Sequence, residues 1–388
     1  MDGKRSRLHR TFQETHAVKS LNGLSVGLVG PVPPPMGGMA AQTLQLSRLL
    51  TEAGAQVTLV PVNAPYRPKL VGQVPGLRAL FRLIPYLMAL WRVCGSVQVI
   101  HLMANSGWSW HLFAAPAIAI ARLRRIPVIV NYRGGGAESF LASSHSVVAF
   151  SLRRVQALLV PTGYLKEVFG RWGWQAQVLR NVVDTGLFHG AEGRRLPKHL
   201  VVTRNLEPIY DNAGAIRAFA IVRQQHPDAV LSILGEGPEL ESLKLLAEEL
   251  GLSNGVRFLG RLDRPGVADL LQSAEVLINP SLVDNSPNSI IEAWASGVPV
   301  VSTNVGGVPY LVQDGVTGLL VSPSDPQAMA TAINALLEDS ERRQALATAG
   351  LREVGQFTWA VVGPQLGEVY LAHASENPPT RGACDPSA

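Results

Sequence analysis

Short apolar runs, each closed by a glycine, a proline or a polar residue and separated by stretches of helical spacing, recur along nearly the whole chain. The first is 24–30 (LSVGLVG), which reads as a buried strand ending on Gly30. A Pro/Gly loop follows over 31–38, and 40–50 has helical spacing. Strand-like runs return at 57–62, 97–102, 128–131 and 158–160. Such alternation predicts a parallel sheet covered by helices on both faces. The pattern restarts after a Gly- and charge-rich stretch at 181–198. Runs then stand at 200–202, 229–234, 256–259, 276–278, 299–302 and 318–321, with helices such as 239–250 and 326–337 between them. The expectation is two α/β domains, 22–180 and 197–355, joined by a linker at 181–196. A last helix is expected over 356–374 and a disordered tail over 375–388. A length of 388 residues fits two domains better than one.

The apolar fraction of 47% against 16% charged supplies two cores and argues against a disordered chain. Two cysteines, Cys94 and Cys384, build neither a disulfide framework nor a cysteine metal site. The polar stretch 11–22 lacks the apolar centre of a signal peptide, and 93–121 is too broken by Gly, Asn and Pro to span a bilayer. A cytoplasmic protein is expected. The net charge of +5 is unevenly placed. Between Glu52 and Glu138 no acid occurs, while Arg67, Lys69, Arg78, Arg82, Arg92, Arg122, Arg124, Arg125 and Arg133 do. An anionic partner follows, with phosphate-bearing ligands and lipid headgroups as candidates. Nucleic acid is disfavoured, because no zinc finger, basic coiled coil or aromatic-basic RNA motif is present.

The stretch 279–307 (NPSLVDNSPNSIIEAWASGVPVVSTNVGG) is richest in chemistry. It reads as strand, loop, helix, strand, loop. Ser286 is placed to cap the helix, Pro287 to open it and Gly297 to end it. The helix start presents free N–H groups and a positive dipole end, which suits a phosphate. Asp284 precedes the helix and Glu292 lies on its second turn. Carboxylates beside an anion site would repel phosphate, so they should accept hydroxyls instead. A sugar and a ribose supply hydroxyls.

This segment resembles glycosyltransferase family 4, of the GT-B fold. Asp284 and Glu292 stand eight apart, as the family's paired acids do, with EA.ASGVPVV following. The family usually has Glu first, so Asp284 is shorter by one methylene. The family's Gly-Phe-Gly is here Asn285-Ser286-Pro287, and Asn288 is a candidate to replace the missing donor. The resemblance implies that Asp284 touches the transferred sugar and Glu292 the ribose. Other blocks agree in order: Gly235-Glu236-Gly237-Pro238, the strand 256–260 followed by Arg261, and Gly306-Gly307-Val308-Pro309 with 314–318. In the first domain Gly37 and Gly38 resemble the paired glycines that approach the donor phosphate. Arg204 matches the Arg of the family's diphosphate-holding loop. The position aligned with its Lys holds Tyr210, and no Lys occurs between Lys198 and Lys244.

A second cation is therefore wanted. Arg133, in 131–136 (NYRGGG) after a strand, is the candidate for a bidentate phosphate contact, with a surface turn as its other reading. His101 ends a strand at the sheet's carboxyl edge and admits two readings, a possible site residue or a satisfied crevice histidine. No histidine spacing suits a metal, and no D-x-D acid pair closes a strand, so no metal is expected. Over 77–93, Leu77, Leu80, Phe81, Ile84, Leu87, Met88 and Trp91 share one helical face, opposite Arg78, Arg82 and Arg92. That face reads either as core or as a membrane interface.

The resemblance implies a GT-B protein, two Rossmann-like doubly wound domains facing a donor-binding cleft. It implies a retaining, metal-independent glycosyltransferase (EC 2.4, hexosyltransferase type) with a nucleotide-sugar as co-substrate and no other cofactor. The expected catalytic residues are Asp284 and Arg204. The expected donor-binding residues are Gly37, Gly38, Arg133, Arg204, Gly235, Arg261, Asp284, Ser286, Asn288 and Glu292. The acceptor side falls to the first domain, with a glycan or lipid-linked acceptor, a role in polysaccharide biosynthesis, and a peripheral place on an anionic membrane surface. Tyr210 keeps a non-catalytic GT-B nucleotide-sugar-binding or scaffold protein as the alternative.

Overall fold

The computed structural model describes residues 21–34, 37–64, 77–190, 193 and 195–375, with side chains from residue 82 onward in the third stretch. The chain divides into two compact units, residues 1–180 with 359–388, and residues 181–358. The tail beyond Ser375 lies outside the described residues.

The first unit is built on β1 (Ser25–Gly30), α1 (Gly38–Glu52), β2 (Gln56–Pro61), α2 (Leu77–Val93) and β3 (Val99–Ala104). After β3 a π-helical turn, Trp110–Ala114, runs into α3 (Ala115–Leu123). Then come β4 (Val128–Tyr132), α4 (Ala137–Leu152), β5 (Ala157–Val160), α5 (Gly163–Arg171) and the two-residue β6 (Gln177–Val178). The six strands are parallel in the order β2-β1-β3-β4-β5-β6. Strands β3 and β4 are buried at every residue, as expected of a sheet covered on both faces. The order reverses between β1 and β3, and the crevice beyond their carboxyl ends is where such sheets bind ligands.

The second unit has β7 (His199–Thr203), α6 (Asn212–Gln225), β8 (Val230–Leu234), α7 (Leu240–Glu249), β9 (Val256–Gly260), α8 (Arg264–Ser273), β10 (Val276–Asn279), α9 (Asn288–Ala295), β11 (Val300–Thr303), β12 (Leu319–Val321), α10 (Pro326–Glu338) and α11 (Ser340–Glu353). Its order is β12-β11-β10-β7-β8-β9, again parallel. The switch point falls between β7 and β10. The last helix, α12 (Trp359–His373), groups with the first unit, where the Tyr370 hydroxyl meets His101 Nδ1 at 2.9 Å.

Within the stretch expected as a linker, residues 181–188 pack into the second unit. Val183 and Phe188 are buried in the second unit's core, and the Val183 N–H donates to the Phe357 carbonyl at 2.8 Å. On α2 the core takes Tyr86 and Leu90, with Leu83 and Leu87 half-buried, whereas Ile84, Met88 and Trp91 are exposed. At 100° per residue Met88 and Trp91 fall within about 40° of Ile84, at the centre of the apolar stripe, and that centre is exposed, while the core takes the flank at Leu83, Tyr86, Leu87 and Leu90.

Candidate functional site

Strand β7 delivers Arg204 to the switch point and β10 delivers Asn279, Ser281 and Asp284. Arg204 Nε donates to Asn279 Oδ1 at 2.7 Å, and Arg204 Nη2 donates to Asp284 Oδ2. Both side chains of this ion pair are largely buried, 13% and 10% exposed. Asn279 is itself held, donating to Ser302 Oγ at 2.9 Å and accepting from Ser281 Oγ at 3.0 Å. A fixed guanidinium of this kind is preorganised for an anion. Burial raises the Asp284 carboxyl above its ordinary value, while Arg204 and hydrogen bonds from Ser281, the Asn285 N–H and Asn279 pull it down. Tyr210 packs its ring 5.2 Å from the Arg204 Cζ, so the residue aligned with the family's Lys meets Arg204 as an aromatic face.

Glycines let these loops close on one another. At Gly235, φ is +150°, and a Cβ would fall 2.1 Å from the Arg204 carbonyl oxygen. Gly235 is therefore where the loop after β8 crosses the loop carrying Arg204. Arg261 pairs with Glu236 at 3.0 Å on the exposed rim of that crossing. At Gly307 a Cβ would stand 1.9 Å from the Asn285 carbonyl oxygen, and the Gly307 N–H donates to the Asp284 carbonyl at 2.9 Å.

Helix α9 begins one residue later than the sequence pattern implied. Pro287 is its N-cap, with φ −65° and ψ 114°, and makes no side-chain cap bond. Ser286 does not cap it. Its carbonyl and hydroxyl instead accept from Asn181 Nδ2 at 3.1 and 3.2 Å, and Asn288 Oδ1 accepts from the same nitrogen at 2.7 Å. The physical reason is the extended ψ of Pro287, which delays the first helical turn. Ser289, in that first turn, is buried with a hydroxyl that finds no partner. Such an orphan is costly in a closed protein and suits a hydrogen-bonding guest. Glu292, 16% exposed, faces Arg264 at 3.5 Å. Burial pushes its carboxyl up to about 7 against the pull of Arg264 and Arg204. Arg264 escaped the sequence reading, although its place at the start of α8, directly after the capping Asp263, marks a helix end aimed at the same region.

The first unit carries a separate polar chain. Arg133 Nε donates to Asn131 Oδ1 at 2.8 Å and Nη1 to Gln42 Oε1 at 3.0 Å. Asn131 Nδ2 meets His101 Nε2 at 3.1 Å. Because the guanidinium only donates, the Asn131 oxygen must face it and its amide must donate to Nε2. His101 is then neutral with its proton on Nδ1, towards Tyr370. Burial, and after it the Arg133 charge, lower His101 to about 3. His101 is fully buried and satisfied, which fits its crevice reading. Burial also lowers Arg133, to about 10. Gly37 caps α1 in extended backbone, and a Cβ there would meet open space. Gly38 is the first residue of α1. Among the described residues no group of three or more His, Cys, Asp or Glu could hold a metal ion. No described helix is long and apolar enough to cross a membrane.

Two Rossmann-like units, the second with a guanidinium–carboxylate cluster at its switch point, define a glycosyltransferase of the GT-B class. Within that class the chain belongs to glycosyltransferase family 4. The model described as Glycosyltransferase Family 4 matches residues 36–187, and that described as Glycosyl transferases group 1 matches residues 196–353. A glycogen synthase of Mycobacterium tuberculosis is 29% identical over 276 residues, 67% of each chain. A D-inositol 3-phosphate glycosyltransferase of Corynebacterium urealyticum is 36% identical over 162 residues, covering 40% of this chain and 38% of that relative. The chain thus matches well under half of the second relative's length. Among solved structures, sucrose-phosphate synthase from Thermosynechococcus elongatus superposes with a TM-score of 0.73 at 21% identity, covering 90% of this chain and 98% of that one. HepE of Anabaena, in complex with UDP-glucose, gives 0.73 at 20% identity, covering 89% and 99%.

Proposed function

We propose that this chain is a retaining glycosyltransferase. It takes a nucleotide-diphosphate-sugar on the second unit and transfers the sugar to a glycan or lipid-linked acceptor held by the first. Its setting is the cytoplasmic membrane face, in the making of a polysaccharide or other glycoconjugate. The observation that carries the reading is the Arg204–Asp284 pair at the switch point beside the start of α9. Arg204 commits Nε and Nη2 to Asn279 and Asp284, which leaves Nη1 for a phosphate oxygen. The helix start adds N–H donors and a positive dipole end. Asp284 accepts sugar hydroxyls, and Glu292 accepts those of the ribose. On the first unit, Gly37 and Gly38 leave room at the start of α1 for an anion, and Arg133 is that unit's candidate cation.

In the transfer, the bond between the sugar C1 and the diphosphate oxygen breaks, and its electron pair leaves with the diphosphate. A bond forms from the acceptor oxygen to C1 on the same face. The acceptor's proton passes to a departing phosphate oxygen. Arg204 and the α9 amides stabilise the growing phosphate charge, and such preorganised donors are worth a factor of about 10²–10³ each. No side chain need act as nucleophile, and no metal need neutralise the diphosphate.

UDP is the first nucleotide to try, because a structurally similar protein is described with UDP-glucose. Titrating purified protein with UDP, GDP and ADP, and then with their glucose conjugates, should show saturable binding to one nucleotide family. Arg204→Gln should weaken it. Binding to none of them, or equal binding by the variant, refutes the assignment. Tyr210 against Arg204 favours a second reading, a protein that binds the donor without transferring. Tight donor binding with neither transfer nor donor hydrolysis would select that reading.

A further inference from the structure

The transferase reading leaves the acceptor's contacts open, and a different part of the first unit bears on them. Trp108 is 77% exposed, more than any other large apolar side chain among the described residues. It stands four residues beyond β3, at the crevice where the strand order reverses between β1 and β3. Its placement is built rather than accidental. Gly107 turns the chain with φ +63°, and three residues further on Trp110 is fully buried, its Nε1–H donating to Ser151 Oγ at 3.1 Å. Trp110 opens the π-helical turn, a rare local geometry frequent at functional sites.

The loop beneath is pinned as well. Ser106 Oγ lies 2.7 Å from the Tyr132 hydroxyl, and a Cβ at Gly134 would fall 2.2 Å from the same oxygen. His111 packs edge-on to Trp108 with centroids 6.0 Å apart, and Phe140 packs on His111 at 5.8 Å. One edge of the indole is therefore braced while the ring stays open to solvent.

We propose that Trp108 is the floor of a sugar subsite for the acceptor glycan. The proposal rests on the transferase reading only for the name of the guest. An indole face matches the C–H face of a pyranose, and its Nε1–H can donate to a ring hydroxyl. The surroundings supply what sugar hydroxyls need, with Asn105, Ser106 and Ser109 in the same turn. A lipid surface would ask for exposed apolar and cationic neighbours instead, whereas Asn105, Ser106 and Ser109 are neither and Trp110 and Phe140 are buried.

Saturation-transfer NMR on the full chain, with methyl glycosides of glucose, galactose, mannose and N-acetylglucosamine as probes, tests the contact. At least one glycoside should receive saturation through its ring C–H protons. Trp108→Ala should weaken that glycoside about tenfold, the scale of one stacking contact, and Trp108→Phe should restore most of it. With its side chain in solvent, the Ala variant should fold normally by circular dichroism. Stabilisation by UDP, read on the same samples, should be unchanged by Trp108→Ala. If no glycoside is contacted, or if the Ala variant is contacted equally, the subsite does not exist. Loss of pelleting with anionic vesicles, with glycoside contact intact, would assign Trp108 to a membrane and overturn the proposal. If no nucleotide binds while glycoside contact still follows Trp108, the donor reading falls and the sugar subsite stands.

Discussion

Arg204 and Asp284, 80 residues apart in the chain, form a nearly buried ion pair at the point where the second sheet changes direction. Neither residue is at rest chemically. Burial disfavours the charged carboxylate, the guanidinium restores it, and Asn279 fixes the geometry of both. An incoming diphosphate would meet a cation already half-neutralised, so the pair balances affinity for the donor against stability of the empty protein.

Breaking the pair should therefore hurt stability and activity together. Removing one member of a buried pair leaves an uncompensated charge, at a cost of about 3 kcal/mol. Arg204→Gln and Asp284→Asn should each show a loss of that order in urea unfolding. The double variant should lose less than the sum by about 1–3 kcal/mol, because it strands no charge. Transfer by either single variant should fall by a factor of about 10²–10³. Strictly additive unfolding energies would mean that the two charges do not interact.

Glu292 should give the protein a pH dependence near neutrality. Its folded-state value, about 7, lies above the ordinary 4.5. Between those values the folded state binds more protons than the unfolded state, so stability falls as pH rises from about 4.5 to about 7 and then levels. The loss, at 1.36 kcal/mol per unit, is about 3 kcal/mol. Glu292→Gln should remove that slope and be the more stable protein at pH 8. Nucleotide affinity should move the other way, rising as Glu292 ionises, and the Gln variant should bind about 1.5–3 kcal/mol more weakly. Unchanged affinity for both the nucleoside diphosphate and the full donor would remove Glu292 from the ribose.

Eleven of the twelve strands among the described residues were legible because each is an apolar run with a punctuating end. The exception, Gln177–Val178, is two residues long with a polar first member, and no periodicity can be read from two positions. Asp284 and Glu292 drew attention because their segment resembles the family's paired acids, and in the structure they face Arg204 and Arg264. Arg264 and Ser289 were not legible, because what marks them is the partner each meets or lacks in three dimensions. The same holds for Tyr370 on His101, a contact between residues 269 apart. Ser286 misled because serine before proline looks like a cap, and only the backbone angles of Pro287 tell otherwise.

Donor binding and transfer should survive EDTA. The side chain proposed to meet the diphosphate is a cation, Arg204, and the nearby carboxylates Asp284 and Glu292 each already face a guanidinium. A metal would have to compete with those guanidiniums for its ligands. Activity assayed after chelation, and again with magnesium or manganese restored, should be the same within error. Abolition by EDTA and rescue by either ion would overturn this assignment.

The membrane expectation changes with the structure, and so does its test. Ile84, Met88 and Trp91 stand exposed on α2, and Leu123, 73% exposed, ends the neighbouring α3. Arg92, Arg122, Arg124 and Arg125 are exposed around them, and the Arg124 Cζ lies 4.8 Å from the Trp91 ring, joining the two helix ends into one patch. No acid occurs between Glu52 and Glu138 to offset these charges. An apolar centre with a cationic rim is the pattern of a protein that rests on anionic lipid. Arg82 is only half-buried rather than exposed, and the Arg78 side chain falls outside the described residues, so neither is the best probe. The variant to compare carries Arg92, Arg124 and Arg125 all changed to Gln. Each surface cation near anionic lipid is worth about 1 kcal/mol, so the variant should lose about 3 kcal/mol, roughly a hundredfold in partitioning. Trp91→Ala should weaken binding to neutral and anionic vesicles alike, because its contribution is apolar. Attachment should also fall as salt rises, since the attraction is screened. Sedimentation with liposomes of graded anionic content reads all three effects. If the wild type ignores anionic liposomes at low salt, or the triple variant pellets equally well, the patch does not dock on lipid, and a soluble acceptor becomes the reading to pursue.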